Sequence, residues 1–145
     1  MKTHEIKLYQ EFDAPVEQVW EAFSDHNNFG KMMGQDIKRI VNSADAGNVN
    51  GVGSVRSIKI PMVAFEETIV KSEKPVCIEY QISKGLPLDY HYGIMQFKSL
   101  PDGRTALDYT VKLSLKIPLL GGVVAVALKR GLGSGLRNYA RRLKR

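Results

Sequence analysis

A single cysteine, Cys77, stands in 145 residues. It excludes an intramolecular disulfide framework and any multi-cysteine metal site, and it removes any demand for an oxidising compartment. Histidine is scarce as well. His4, His26 and His91 show no ligand spacing, so no metal site and no cofactor is expected. Long apolar runs are missing: the longest, IPLLGGVVAVAL over 117–128, falls well short of the roughly 20 residues of a membrane-spanning helix. The start, MKTHEIKLYQEF, alternates polar and apolar residues without the apolar core of a signal peptide, which makes the cytoplasm the expected location. No nucleophile elbow, Walker loop, HExxH or helical carboxylate pair occurs, so no catalytic residue is named. Acid is absent from the last segment: residues 118–145 hold seven Lys or Arg and no Asp or Glu, leaving 14 basic against 15 acidic residues in 1–117. The net charge of +6 therefore sits on one segment and bears on partners, not on the fold.

What is present has the composition of one globular domain, 43% hydrophobic and 25% charged, with no repeat, linker or low-complexity stretch over 1–145. EIKLYQEF (5–12) alternates as a strand. DAPVEQVWEAFSD changes to helical period, with Asp13 as N-cap, Pro15 in the first turn and Val16, Val19, Trp20 and Phe23 on one face. HNNFGKMMG reads as a second short helix or turn. Strand signals follow at 36–42, 53–60, 64–73, 76–83, 89–99 and 105–116, separated by SADAGNVNG, KGLP and LPDGR. From Pro118 the period is helical to the end. One long helix and seven antiparallel strands hide their apolar faces only against each other, which predicts an α+β fold.

This order, with FDAPVEQVWEAFSD at the first strand-to-helix junction, resembles the START-related SRPBCC superfamily, which includes the polyketide cyclase/dehydrase and lipid-transport group and the birch-pollen-allergen-like proteins. GVGSVRSI (51–58), FEETIVKSEKPVCIEYQISKG (65–85) and HYGIMQFKSLPDGRTALDYTV (91–111) extend the resemblance over nearly the whole chain. It implies the helix-grip fold: a seven-stranded curved antiparallel sheet wrapped around a long carboxy-terminal helix, with two short helices after the first strand. It also implies a cavity between sheet and helix for apolar molecules, with ligand and chemistry varying between members, so the expected function is binding of a hydrophobic small molecule or lipid, as a carrier or sensor without catalysis.

Strand alternation nominates the residues facing that cavity. Arg56, Ile58 and Ile60 share one face of their strand, Phe65, Glu67 and Ile69 one face of the next, and Val76, Ile78, Tyr80 and Ile82 one face of the third. His91, Gly93, Met95 and Phe97 are placed inward because Gln96 and Lys98, on the other face, are poor core residues. Leu107, Tyr109, Val111, Leu113 and Leu115 complete the set. Ligand contacts are thus expected from Arg56, Ile58, Phe65, Glu67, Tyr80, His91, Met95 and Tyr109, an apolar lining with a few placed polar groups. Arg56 and Glu67 either anchor a ligand or pair with each other. Cys77 falls on the polar face of its strand, His26 reads as solvent-exposed or a cap, and Trp20 as core. Met32 and Met33 sit near the expected pocket mouth. An alternative is a cyclase- or dehydrase-like enzyme working through Arg56, Glu67 or His91.

On a helical wheel, Val124, Leu128, Leu132, Leu136, Tyr139 and Leu143 form the apolar stripe of the last helix, with Arg130, Arg137, Arg141 and Lys144 opposite. Leu132, Gly135, Leu136 and Tyr139 are therefore expected to close the cavity. Gly131 and Gly135 fall on the apolar side and Gly133 near the polar border, so the two missing side chains mean close contact with the sheet or free volume for a ligand. The basic face of 129–145 is a solvated face or a peripheral contact for an anionic membrane or acidic partner. Nucleic acid is disfavoured, since only Tyr139 interleaves the charge.

Overall fold

The alternation at the amino terminus folds as β1 (His4–Phe12), followed by α1 (Val16–Ser24) and α2 (His26–Met33). The strands β2 (Asp36–Val41), β3 (Val55–Ile60), β4 (Val63–Glu73), β5 (Cys77–Lys84), β6 (Leu88–Ser99) and β7 (Thr105–Leu115) come next, and α3 (Leu120–Leu143) ends the chain. This computed structural model describes residues 2–61 and 63–144. Arg145, the last of the seven expected cations, lies outside the described residues, as do Met1 and Met62. The strands form one antiparallel sheet in the order β1-β7-β6-β5-β4-β3-β2. Because β1 and β2 are its two edges, α1 and α2 carry the chain from one edge to the other, and α3 packs across β1, β7 and α2. This is the helix-grip architecture.

The first helix is not capped by Asp13. Pro15 occupies the cap position in an extended conformation without a side-chain hydrogen bond, and Asp13 instead forms an ion pair with Arg104 (3.6 Å). The cap motif belongs to α2, where the Asp25 carboxylate accepts from the backbone N–H groups of Asn27 (3.1 Å) and Asn28 (3.2 Å). Gly34, in the left-handed region at φ 67°, ends that helix. Asp25→Ala is expected to lower the unfolding free energy by about 1 kcal/mol, with Asp25→Asn close to wild type, as read by urea denaturation.

Two residues expected on inner strand faces are exposed instead. Val76 precedes β5 and is 53% exposed, while Cys77 is buried and its carbonyl accepts the Trp20 indole N–H (3.2 Å). The beginning of β5 is covered on both sides, so polar–apolar alternation fails there, and burial pushes the Cys77 thiol pKa up. Ile60 shares a face with Arg56 but lies at the exposed end of β3. The core joins helices and sheet through Phe12, Phe23, Phe97 and Tyr139, with ring centroids 5.3–5.9 Å apart. Such aromatic pairs contribute about 0.5–1.5 kcal/mol each beyond area burial.

Gly131 and Gly133 depart from the wheel, while Gly135 follows it. Gly133 and Gly135 are buried and Gly131 is exposed. A Cβ on Gly135 would lie 2.6 Å from the Met33 Cε. The space is thus neither empty nor filled by the sheet: it admits the Met33 side chain at the α2–α3 crossing. Arg142, at the edge of the stripe, donates from Nη2 to the Met32 carbonyl (2.8 Å), satisfying one of the acceptors left over at the end of α2.

Candidate functional site

Adjacent strands β3 and β4 place Arg56 directly opposite Glu67. Arg56 Nε donates to Glu67 Oε1 at 2.7 Å, and the arginine is 0% exposed, its partner 8%. The Phe29 ring from α2 and the Tyr80 ring from β5 each have their centroid 4.7 Å from the guanidinium carbon, so aromatic faces bear on the cation. Its outer edge is different. Neither Nη1 nor Nη2 has a hydrogen-bond partner among the described residues.

Tyr80 reaches this position because Gly93 is its cross-strand neighbour. A Cβ at Gly93 would stand 2.3 Å from the Tyr80 Cζ, so only a residue without a side chain lets the ring lie across β6. From there the Tyr80 hydroxyl forms a hydrogen bond with that of Tyr109. Burial raises the pKa of both phenols, and they stay protonated at neutral pH. His91, with its ring 5.6 Å from that of Tyr80, accepts the Ile82 backbone N–H at Nδ1 (3.0 Å). That bond requires an unprotonated Nδ1, and burial together with the Arg56 charge lowers the pKa of His91 to about 4.

Arg56 keeps its charge. Burial opposes it, but the charge and hydrogen bond of Glu67 act the other way, and its pKa lies above the ordinary value. Burial raises the pKa of Glu67, with Arg56 pulling the other way. The sheet thus gathers Arg56, Glu67, Tyr80, His91 and Tyr109 into one polar cluster. Ile58, Met95, Leu132 and Leu136 are buried in the surrounding apolar core, and Phe65 is half-buried against it. Tyr139 packs instead at an angle against the rings of Phe12 and Phe23, and Gly135 lies under Met33.

One member of the site escaped the sequence reading. His26 is not at the surface: it is 1% exposed, and its Nε2 meets the Ser54 hydroxyl at 2.9 Å, while Nδ1 has no partner among the described residues. Burial, then the charges of Arg56 and Arg39, lower its pKa to about 3. The signal was present in the spacing His26, Phe29, Gly30 and Met33, which places four buried residues on one helical face. A histidine whose pKa falls on folding takes up its proton more readily when unfolded. Its stabilising neutrality is complete above the unfolded value near 6.5 and is lost as pH falls towards 3. Urea midpoints of wild type are therefore expected to fall from pH 6.5 to pH 4 more steeply than those of His26→Gln. Glu67, whose pKa is raised, acts in the opposite direction in both proteins.

Two concavities on the described surface lie outside this cluster. One, of about 480 Å³, is lined by α2 and β2 residues including Asn27, Lys31 and Arg39. The other, of about 410 Å³, lies between His4, Leu115, Ile117 and the start of α3. No group of three His, Cys, Asp or Glu among the described residues is arranged for a metal ion.

The family described as polyketide cyclase / dehydrase and lipid transport has a sequence model that matches residues 3–145. Solved structures with the same fold include that of Ara h 8.0201, at 14% identity and a TM-score of 0.74 over 98% of each chain. A protein from Nitrosospira multiformis matches at 14% identity and a TM-score of 0.72, over 98% of this chain and 100% of its own. XoxI from Bacillus cereus matches at 18% and 0.68, over 96% and 94%. At these identities the structures speak for the fold alone. No curated protein sequence matches the chain.

Proposed function

Given that the chain belongs to the polyketide cyclase / dehydrase and lipid transport family, we propose that it binds a hydrophobic small molecule or lipid between its sheet and α3, as a carrier or sensor. The observation that carries this reading is a buried polar cluster, centred on Arg56 and bordered by apolar core residues. Apolar surroundings supply affinity and a few fixed polar groups supply orientation. Side chains that would yield to a ligand are at hand, since Met33 and Met95 have flexible, polarisable side chains. A catalytic use of the same groups has less support. His91 has Nδ1 engaged and is a weak base at neutral pH, and Glu67 is tied to Arg56. Native mass spectrometry of protein purified from cells, followed by solvent extraction, tests the proposal. A co-purifying or exchangeable apolar molecule is expected; protein that neither retains nor takes up one contradicts it.

A second reading concerns where such a ligand would be collected. The apolar surface at the start of α3 favours contact with an anionic bilayer, and it lies upstream of the basic 129–145 segment. Leu119 is 90% exposed and sits at φ 70°, a conformation that costs a non-glycine residue about 1–2 kcal/mol. Ile117, Val123 and Val126 are exposed beside it. Val123, Val126 and Arg130 follow at helical spacing, with Lys129 adjoining and Lys116 just before the tip. Apolar residues at the tip with cations about two to three turns behind fit acyl chains and anionic headgroups respectively. Leu119→Asp is expected to abolish co-sedimentation with phosphatidylserine-containing vesicles while leaving the fold intact. Wild-type protein that fails to sediment with such vesicles at low salt would remove this reading.

A further inference from the structure

We propose that the outer edge of the Arg56 guanidinium is the recognition point for an uncharged carbonyl oxygen on an otherwise apolar ligand. The proposal rests on the interior binding reading above and adds the chemistry of the ligand's polar end. A guanidinium offers five N–H donors in one plane. In Arg56 the Nε donor is given to Glu67, and the Phe29 and Tyr80 rings stand against the group. The four donors on Nη1 and Nη2 remain, fully buried and without an acceptor among the described residues. Leaving buried charged donors unmatched is among the costlier conditions a folded chain can sustain. No described residue supplies the acceptor, so a bound molecule is its proposed source, and the paired geometry of Nη1 and Nη2 suits oxygen acceptors lying in the guanidinium plane.

Charge balance decides which oxygen. Glu67 already neutralises Arg56, His26 and His91 are uncharged at neutral pH, and Tyr80 and Tyr109 keep their protons. The cluster is then neutral as a whole. A carboxylate or phosphate would leave a net negative charge in the interior, which is costly to desolvate. A ketone, ester or amide carbonyl oxygen accepts from two of these donors, one on Nη1 and one on Nη2, with no change of net charge. Arg56 and Glu67 thus act together: the arginine supplies the donors, and the glutamate rejects anionic ligands by occupying the countercharge position.

Displacement of the neutral fluorescent probe N-phenyl-1-naphthylamine from the full chain tests this with three competitors of similar length: 2-nonanone, its near-isostere 2-methyl-1-nonene, and nonanoate. 2-Nonanone is expected to bind wild type at least about tenfold more tightly than either of the others, about the factor given by 1.4 kcal/mol. In Glu67→Gln the countercharge is gone, and the preference is expected to turn to nonanoate, a reversal that a purely structural role for the pair would not produce. The volume-matched Arg56→Met/Glu67→Leu variant carries no buried charge and is expected to bind ketone and alkene alike. It keeps the test available if Glu67→Gln does not fold. Equal binding of ketone and alkene by wild type would mean that the edge holds only water, overturning the carbonyl proposal while interior binding stands. A wild-type preference for nonanoate would overturn it as well. Failure of all three to displace the probe would overturn both this proposal and the interior binding reading.

Discussion

Glu67→Leu will lower the unfolding free energy by about 3–5 kcal/mol, the range for removing one partner of a buried ion pair, and Arg56→Met will cost less. The asymmetry follows from what each survivor can do. Arg56 left alone cannot shed its proton at any ordinary pH, so Glu67→Leu strands a buried cation with all five donors unpaired. Glu67 left alone can take up a proton, towards which burial already drives it. The Arg56→Met protein should therefore be pH-sensitive. With the folded-state pKa of Glu67 raised above its unfolded value, stability is greatest at low pH and declines as pH rises through that folded value. The double variant Arg56→Met/Glu67→Leu should recover most of the loss, because two apolar residues of similar volume replace the pair. Urea denaturation of the four proteins at pH 5 and pH 8 measures all of this. A double variant less stable than Glu67→Leu alone would show that the pair does more for the core than fill it.

Gly93→Ala is the second large effect, with an expected loss of about 3 kcal/mol, the upper part of the range for overpacking. A methyl group at that point meets the Tyr80 ring at 2.3 Å. The ring has little room to withdraw, since its hydroxyl is bonded to Tyr109 and it lies beside Arg56. The gain in chain entropy on replacing glycine, about 0.5–1 kcal/mol, offsets only part of this. In a Tyr80→Leu background the clash is gone, so the same substitution should cost well under 1 kcal/mol, a non-additivity expected of residues in contact. Equal costs in the two backgrounds would separate Gly93 from Tyr80.

Both predictions concern residues that strand alternation had placed on the inner face, and the reasons for their importance differ in how far they could be read ahead of the structure. Arg56 and Glu67 were legible as neighbours because Arg56 is the lone charged residue on its strand face and Glu67 stands between Phe65 and Ile69 on the next. The bare Nη edge was not, since it depends on where Phe29 and Tyr80 land, one from a helix and the other two strands away. Gly93 could be placed inward, but its cause is the β5–β6 register that sets it opposite Tyr80. His26 was misjudged because the phase of a short helix follows from its cap, and Asp25, not a residue further back, starts α2. Of the α3 glycines, Gly135 lies on the buried side as the wheel places it, where Met33 of α2 crosses, whereas Gly131 is exposed and Gly133 is buried near Leu8 of β1. Element order was the most legible feature, because strand period, helical period and turn residues agree along the chain.

Binding within the sheet–helix interior is the central claim, and its most direct measurement is an amide chemical-shift titration of isotope-labelled protein with 2-nonanone. Concerted, saturable shifts are predicted at Arg56, Glu67, Tyr80, Gly93 and Leu136, on three of the central strands, β3 and α3. Shifts confined to residues 117–126, or no saturable shifts at any concentration the ketone's solubility allows, would contradict it.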